Sequence, residues 1–269
     1  MSYSNPIYLD NNSTTPVDPS VLEAMLPYFT EQYGNASSTS HIFGQNAEKA
    51  VTVAREEVGD LLGCKAQEIV FTSGATESNN LAILGAMRSF PPGSKLIITS
   101  AEHKAVLDPA NQLSAEGYQV CILPVDQYGR IDTDTIAQSI DASTRLVSII
   151  HGNNEIGSIN NIKNLAELCK SKGVLFHSDA TQTVGKLPLD LRNIPVDLLS
   201  LSAHKMYGPK GIGALFVRRL IPRINLVPMV FGGGHERKLR SGTLPVHQIA
   251  GLGKACAICA TEWYLSRKK

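Results

Sequence analysis

The sequence predicts an α/β protein in which helices cover both faces of a mostly parallel, doubly wound sheet. Apolar segments of four to six residues recur along the 269-residue chain, and helix-length stretches separate several of them. Polar and apolar residues hardly alternate within these segments, which is typical of strands buried on both faces. The repeated change from strand to helix and back favours parallel pairing, because a helical crossover returns the chain to the same edge of the sheet.

The predicted strands are Glu68–Thr72, Lys95–Thr99, Gln119–Leu123, Arg145–Ile150, Val174–Ser178, Leu198–Ser202 and Ala214–Val217. Apolar residues at helical spacing precede two of these strands. Before the first strand they are Ala47, Ala50, Val51, Ala54, Val58 and Leu61, and before the fifth they are Leu165, Leu168 and Cys169. Three consecutive glycines at 232–234 follow the last strand and form the one flexible cluster of the sequence.

The end of the sequence predicts a helix with one apolar face. That face consists of Ile249, Leu252, Cys256, Cys259 and Trp263, which are spaced three and four residues apart. We expect three parts in the chain: an amino-terminal arm at 1–17, a large domain at 18–247, and the start of a linking helix at 248–269. The apolar face needs a surface to pack on, and we expect part of that surface to belong to a domain outside these residues.

Composition excludes several classes of function. The chain has 25 basic and 24 acidic residues, for a formal net charge of +1, which gives no reason to expect nucleic acid or an anionic membrane as a partner. No apolar run approaches the roughly 20 residues that span a bilayer. The first residues show no secretory signal, and the five scattered cysteines are typical of reduced thiols, so we expect a cytoplasmic protein.

Five polar segments follow predicted strands, and two of them carry groups suited to one cofactor. Lys205 follows Leu198–Ser202, at the edge of the sheet where open α/β folds bind ligands. A desolvated lysine can form a Schiff base, although a lone lysine at a strand end is more typical of a solvated surface. Asp179 ends another strand, with Gln182 three residues on; it suits the ring nitrogen of pyridoxal phosphate (PLP), and a helix N-cap is the alternative.

The other segments are less specific on their own. Ala75 and Thr76 lie between a strand and a helix, where free backbone N–H groups can bind phosphate, or where an ordinary turn can lie. His103 can stack on a ring or move a proton, and Asn154 can bind a ring hydroxyl or belong to a turn. Because all five segments lie at the carboxyl ends of predicted strands, we expect them to converge on one PLP site.

These motifs resemble the cysteine desulfurases of the class-V aminotransferase group. The resemblance covers nearly the whole chain in the family's order, at 8–16, 33–44, 71–83, 102–107, 153–157, 177–190, 202–215 and 232–245. It implies the large domain of PLP-dependent fold-type I enzymes. It also implies a reaction that takes sulfur from L-cysteine, leaves L-alanine, and passes the sulfur as a persulfide to acceptor or scaffold proteins of iron–sulfur cluster assembly.

The resemblance also implies a role for each site residue. Lys205 resembles the Schiff-base lysine, Asp179 the partner of the ring nitrogen, and His103 the residue that stacks on the ring and transfers protons. Gln182 and Asn154 resemble contacts to the phenolic oxygen and the substrate. The residues that resemble the phosphate cup are Ala75, Thr76, Ser202 and His204. Thr243 resembles a residue that reaches the phosphate of a neighbouring subunit, which implies a homodimer.

The persulfide-forming cysteine of the family has no counterpart among the five cysteines, so we expect a carboxyl-terminally truncated chain. Cys256 and Cys259 lie on the apolar helix face, and Cys64, Cys121 and Cys169 lie on or beside predicted core elements. No set of ligands is spaced for a metal site. Three alternatives to an active desulfurase therefore stay open: a selenocysteine lyase, another class-V lyase, or a PLP-binding fragment or subunit without turnover.

Overall fold

The computed structural model describes residues 6–219 and 223–266, with side chains to residue 261. These residues form seven strands in one sheet, in the order β1-β7-β6-β5-β4-β2-β3. The strands are β1 (Ile69–Thr72), β2 (Lys95–Thr99), β3 (Gln119–Leu123), β4 (Thr144–Ser148), β5 (Leu175–Asp179), β6 (Leu198–Ser202) and β7 (Gly213–Val217).

Parallel pairing dominates the sheet. The pairs β2–β3, β2–β4, β4–β5 and β5–β6 are parallel, whereas β7 runs antiparallel to both β1 and β6. The carboxyl ends of the parallel strands therefore meet at one edge. The prediction of a mostly parallel α/β sheet is confirmed.

Eight α-helices are described, and they lie on both faces of the sheet. They are α1 (Pro19–Met25), α2 (Pro27–Thr30), α3 (Ile42–Leu62), α4 (Ala75–Met87), α5 (Lys104–Ala115), α6 (Thr133–Ser139), α7 (Ile162–Ser171) and α8 (Val246–Ser266). None of these helices is long and apolar enough to cross a membrane.

The core has two layers, one on each side of the sheet. Neighbouring residues of β2 face opposite layers: Ile97 packs with α3, α7 and α8, and Leu96 and Ile98 pack with α4 and α5. The strands read as unbroken apolar runs because both of their faces are buried.

One strand departs from this prediction. β3 lies at one edge of the sheet, and Gln119 and Ile122 are exposed there, whereas β1, at the other edge, is buried along its whole length. Several boundaries also shift: β4 ends at Ser148 instead of Ile150, and β5 begins at Leu175 instead of Val174. These ends are set by pairing with neighbours that lie far away in the sequence.

The last helix is confirmed as largely apolar toward the core. Ile249, Leu252, Cys256 and Cys259 are buried in the layer that contains α3. The side chain of Trp263 lies outside the described side chains. The predicted division at residues 17 and 247 remains a prediction.

Candidate active site

A cavity of about 870 Å³ opens at the carboxyl ends of the parallel strands. Nine of the ten predicted site residues line it: Ala75, Thr76, His103, Asn154, Asp179, Gln182, Ser202, His204 and Lys205. The strand-end segments therefore converge on one edge of the sheet, as expected. The tenth residue, Thr243, is exposed and does not line this cavity.

The N-terminus of α4 forms one wall of the cavity. Gly74 precedes the helix with φ +152° and makes no side-chain cap hydrogen bond. A Cβ at Gly213 would lie 2.8 Å from the Cα of Gly74, so β7 reaches this loop only because residue 213 is glycine. Uncapped N–H groups and the positive end of a 13-residue helix attract an anion.

Asp179 presents a buried carboxylate at the end of β5. Its Oδ2 accepts a hydrogen bond from Asn79 Nδ2 at 2.7 Å, and its Oδ1 accepts one from the backbone N–H of Thr181 at 3.0 Å. The residue is 3% exposed and lines the cavity. Asp179 therefore caps a turn instead of the helix that the N-cap alternative needs, and it also faces the cavity.

Lys205 lies in a 3-10 turn, Ala203–Lys205, directly after β6. Its Nζ donates to the backbone oxygens of Asn12 at 2.5 Å and Ser13 at 2.7 Å. Burial lowers the pKa of the Lys205 amine below its usual range, and the charge of Lys186 lowers it further, against the opposing effect of Asp10 and Asp179. A lowered pKa favours the neutral amine, which is the nucleophilic form.

The amino-terminal arm crosses the cavity and contacts three of the predicted residues besides Lys205. Gln182 Nε2 donates to the oxygen of Asn12 at 2.8 Å, and Asn12 Nδ2 donates to the oxygen of Asn154 at 3.3 Å. The ring of His204 is 3.1 Å from the Thr14 hydroxyl. The arm is thus part of the site, which the sequence pattern alone did not indicate, since residues 6–17 carry no helical or strand periodicity.

His103 is the N-cap of α5 and is exposed in the cavity. Its Nδ1 accepts a hydrogen bond from the N–H of Ala105 at 3.0 Å, which leaves Nε2 as the other ring nitrogen for a ligand. The preceding residue, Glu102, is buried beneath the cavity wall. Sequence reasoning missed Glu102, because the sequence does not show which acids of a polar loop are buried.

Ion pairs hold the segment before Thr243, and one of them involves a residue that lines the cavity. Arg240 Nε lies 2.9 Å from Glu77 in the first turn of α4. Glu236 is buried and receives two hydrogen bonds from Arg55 and one from the N–H of Phe71. Glu236, Arg237 and Lys238 all have positive φ, which is costly for residues other than glycine, so these contacts hold a strained turn.

None of the five cysteines lines the cavity. Cys169, Cys256 and Cys259 are buried, as expected, whereas Cys64 and Cys121 are half-buried. Burial raises the pKa of the Cys64 and Cys169 thiols to about 12 and that of Cys256 well above its usual range. A thiol with such a pKa is a poor nucleophile at neutral pH.

The class-V aminotransferase family model matches residues 7–268. The chain belongs to the class-V aminotransferase family. Members of this group depend on PLP. The cysteine desulfurase IscS of Photorhabdus laumondii is 54% identical over 260 residues, and that of Anaeromyxobacter dehalogenans is 52% identical over 258 residues. Each alignment covers 96% of this chain and 64% of the relative, so the chain spans less than two thirds of their length.

Solved structures of similar proteins share the fold of this chain. A NifS-like protein superposes with a TM-score of 0.92 at 41% identity, over 97% of this chain and 72% of the other. A structure described as SspA in complex with cysteine superposes with a TM-score of 0.89 at 42% identity, over 93% of this chain and 72% of the other. The fold-type I architecture of these neighbours is therefore the architecture of this chain.

The cavity fits PLP on its own chemistry. It combines an anion site at the start of α4, a buried carboxylate at Asp179, and an amine at Lys205. Thr181 Oγ1 lines the same space, is buried, and has no partner among the described residues, so one further polar contact is available to a ligand. A phosphate, a ring nitrogen and an aldehyde are the groups that such a set would bind.

Proposed function

We propose that this chain is the cofactor-binding part of a cysteine desulfurase, which takes sulfur from L-cysteine, leaves L-alanine, and passes the sulfur toward iron–sulfur cluster assembly. One observation carries the proposal: a lysine amine of lowered pKa and a buried carboxylate lie in one cavity, beside an uncapped helix N-terminus. The similarity to two IscS proteins supports L-cysteine as the substrate.

Each part of the cavity has one task in this proposal. The first N–H groups of α4, at Ala75 and Thr76, bind the phosphate together with Ser202 and His204. Asp179 holds a proton at the ring nitrogen, and Asn79 and Thr181 keep its carboxylate in place. When bound, PLP supplies the electron sink for bond cleavage at the substrate.

Lys205 would hold the cofactor through its amine, and the same amine would move a proton at the substrate. His103 packs on the ring and moves a second proton through its free ring nitrogen. Gln182 and Asn154 orient the phenolic oxygen and the substrate. The arm positions Gln182 and Lys205 through the Asn12 carbonyl, to which both donate.

The sulfur step needs a thiol at the substrate. Since none of the five cysteines lines the cavity, we propose that the persulfide forms on a cysteine outside this set. That thiolate would attack the substrate sulfur, an S–S bond would form as the C–S bond breaks, and the electron pair of the broken bond would pass to the substrate Cβ, which takes up a proton to leave alanine.

A homodimer in the cytoplasm completes the proposal. Large apolar side chains around α1 and α2 are exposed, namely Leu22, Leu26, Phe29, Tyr33 and Phe43. Such a patch is typical of a protein interface. Thr243 is exposed outside its own cavity and is free to reach the phosphate of a second subunit. The scattered cysteines suit a reducing compartment.

A second candidate is a selenocysteine lyase or another class-V lyase. The absence of a cysteine from the cavity lining favours it, because direct elimination needs no persulfide thiol in this chain. A PLP-binding subunit without turnover is the non-enzymatic candidate.

Product analysis separates these candidates. Purified protein is loaded with PLP and given L-cysteine or L-selenocysteine, with and without a polypeptide that supplies a loop cysteine, and alanine is measured. We expect alanine from L-cysteine only when the thiol is supplied, and none from the Lys205→Ala variant. Alanine from L-selenocysteine and none from L-cysteine would identify a lyase. No alanine under any condition would leave a PLP-binding subunit.

A further inference from the structure

Glu102 is a buried acid directly beneath the cavity wall. It is 5% exposed. Its Oε1 accepts hydrogen bonds from the Thr99 hydroxyl at 2.7 Å and from the backbone N–H of Ile150 at 3.0 Å. Its Oε2 is buried without a partner among the described residues. Both donors thus bind the same carboxylate oxygen, and the second oxygen accepts no hydrogen bond from the described residues.

The two donors belong to different segments of the cavity wall. Thr99 ends β2, and the loop that follows it carries His103. Ile150 lines the cavity and lies in the segment that leads from β4 to Asn154. Glu102 therefore joins the wall segment after β2 to the wall segment after β4.

We propose that Glu102 is a positioning residue which, as a neutral acid, holds these two segments together and so fixes His103 and Ile150 in the wall of the cavity. The identity of the ligand in the cavity rests on the proposed function. The neutral state of Glu102 and its link between the two segments do not depend on that function. Nothing in the family comparison or in the sequence pattern assigns this residue a task.

The surroundings favour the neutral form. A buried carboxylate is stable when donors or a cation compensate its charge. Burial raises the pKa of Glu102 to about 8, hydrogen bonds from Thr99 and Ile150 oppose this only in part, and the charge of Asp179 raises it further. Two nearby imidazoles give no positive charge at neutral pH, because burial lowers the pKa values of His151 and His177 to about 4. The third imidazole, that of His103, lies in the wall of the cavity, on the residue that follows Glu102 in the chain.

Glu102 and Asp179 differ in how many of their carboxylate oxygens accept hydrogen bonds. Both oxygens of Asp179 accept hydrogen bonds, so its charged form is satisfied on both sides. Only one oxygen of Glu102 is satisfied. A neutral Glu102 adds no second negative charge beside Asp179, which suits a residue that must hold a proton on a bound ring.

Unfolding equilibria of the cofactor-free protein test the charge state. Glu102→Gln imitates the neutral acid: its oxygen keeps both donors, and its amide group replaces the unpaired Oε2. The folded pKa of Glu102 is raised above its unfolded value of 4.5, so stability is full below pH 4.5 and is lost as the pH rises to about 8. The ratio of the unfolding constants, wild type over Glu102→Gln, should therefore rise about tenfold per pH unit from pH 6 to 7.5 and level off above 8.

Glu68→Gln is the matched control. Glu68 is also buried, but its Oε2 and Oε1 accept from the N–H groups of Lys65 and Arg219, respectively. An amide there must turn its NH₂ toward one of these donors, so we expect lower stability at every pH. A flat wild-type to Glu102→Gln ratio from pH 6 to 9 would overturn the neutral state of Glu102.

Cofactor affinity tests the positioning. Glu102→Ala leaves the Ile150 N–H and the Thr99 hydroxyl without an acceptor, and we expect PLP affinity to fall about tenfold or more as the wall loosens. Glu102→Gln should restore most of it at pH 7 and should exceed the wild type increasingly above pH 8. Equal affinity in Glu102→Ala and the wild type would overturn the positioning role. No PLP binding by any variant, with the expected unfolding ratios, would instead reject the proposed function alone.

Discussion

Replacing Asp179 with asparagine removes one negative charge from the cavity and changes few contacts. The new amide keeps one oxygen, which can accept from the Thr181 N–H. Its NH₂ group then meets Asn79, whose Nδ2 donates to Asp179 at 2.7 Å in the wild type. Asn79 Oδ1 is buried without a partner among the described residues, so rotation of the Asn79 amide by half a turn supplies the acceptor.

The expected magnitudes follow from these contacts. Folding exchanges two charge-assisted hydrogen bonds for two neutral ones, and the removal of a buried charge offsets part of this loss, so the free energy of unfolding should fall by only about 1 kcal/mol. The cofactor loses a hydrogen bond to a charged group, which contributes about 1.5–3 kcal/mol, so its Kd should rise by a factor of roughly 10 to 150. The effect on binding therefore exceeds the effect on folding.

The assay is a titration of cofactor-free protein with PLP, followed by visible absorption, together with urea unfolding. Asp197→Asn is the control, because Asp197 is a buried acid that accepts from the N–H of Phe176 and does not line the cavity. It should alter stability and leave PLP affinity unchanged. If Asp179→Asn bound PLP within about twofold of the wild type, the assignment of Asp179 to the ring nitrogen would be refuted, since a lost charged partner costs more than that.

Two further predictions concern charges around the site. Lys186→Met should raise the pKa of Lys205, because a neighbouring positive charge is removed, and Lys186→Arg should not, because it keeps that charge. Mass spectrometry of Lys205 after pulsed amine acetylation at several pH values measures this shift, and identical acetylation profiles in the wild type and Lys186→Met would reject it. Glu236→Ala should lower the free energy of unfolding by about 3–5 kcal/mol, because it leaves Arg55 without its carboxylate partner and the Phe71 N–H without an acceptor. Glu167→Ala, in an exposed pair, should cost under about 1 kcal/mol. Equal losses in urea unfolding would contradict the buried pair.

Much of the fold follows from local pattern. Unbroken apolar segments indicated strands buried on both faces, and this holds at β2, where Ile97 and Ile98 face opposite layers. The pattern failed at β3, whose composition resembles that of the inner strands. Ile122 is exposed in β3 at one edge of the sheet, whereas β1 at the other edge is buried, and which edge strand is covered is decided by long-range packing.

The site was predictable where chemistry follows a strand end. Lys205, Asp179 and His103 were placed by that rule, because parallel strands end at a common edge. The arm was not, since the contacts of Asn12 and Ser13 with Lys205 join segments more than 190 residues apart. Glu102 was not found either, because burial of an acid leaves no mark in the sequence.

The central claim is that Lys205 holds PLP in this cavity, and borohydride reduction tests it most directly. Reduction fixes the cofactor to the amine that binds it, and peptide mass spectrometry then identifies that amine. We expect the pyridoxyl group on Lys205. A modification on Lys210, which also lines the cavity, or on Lys186, or no modification at all, would contradict the account.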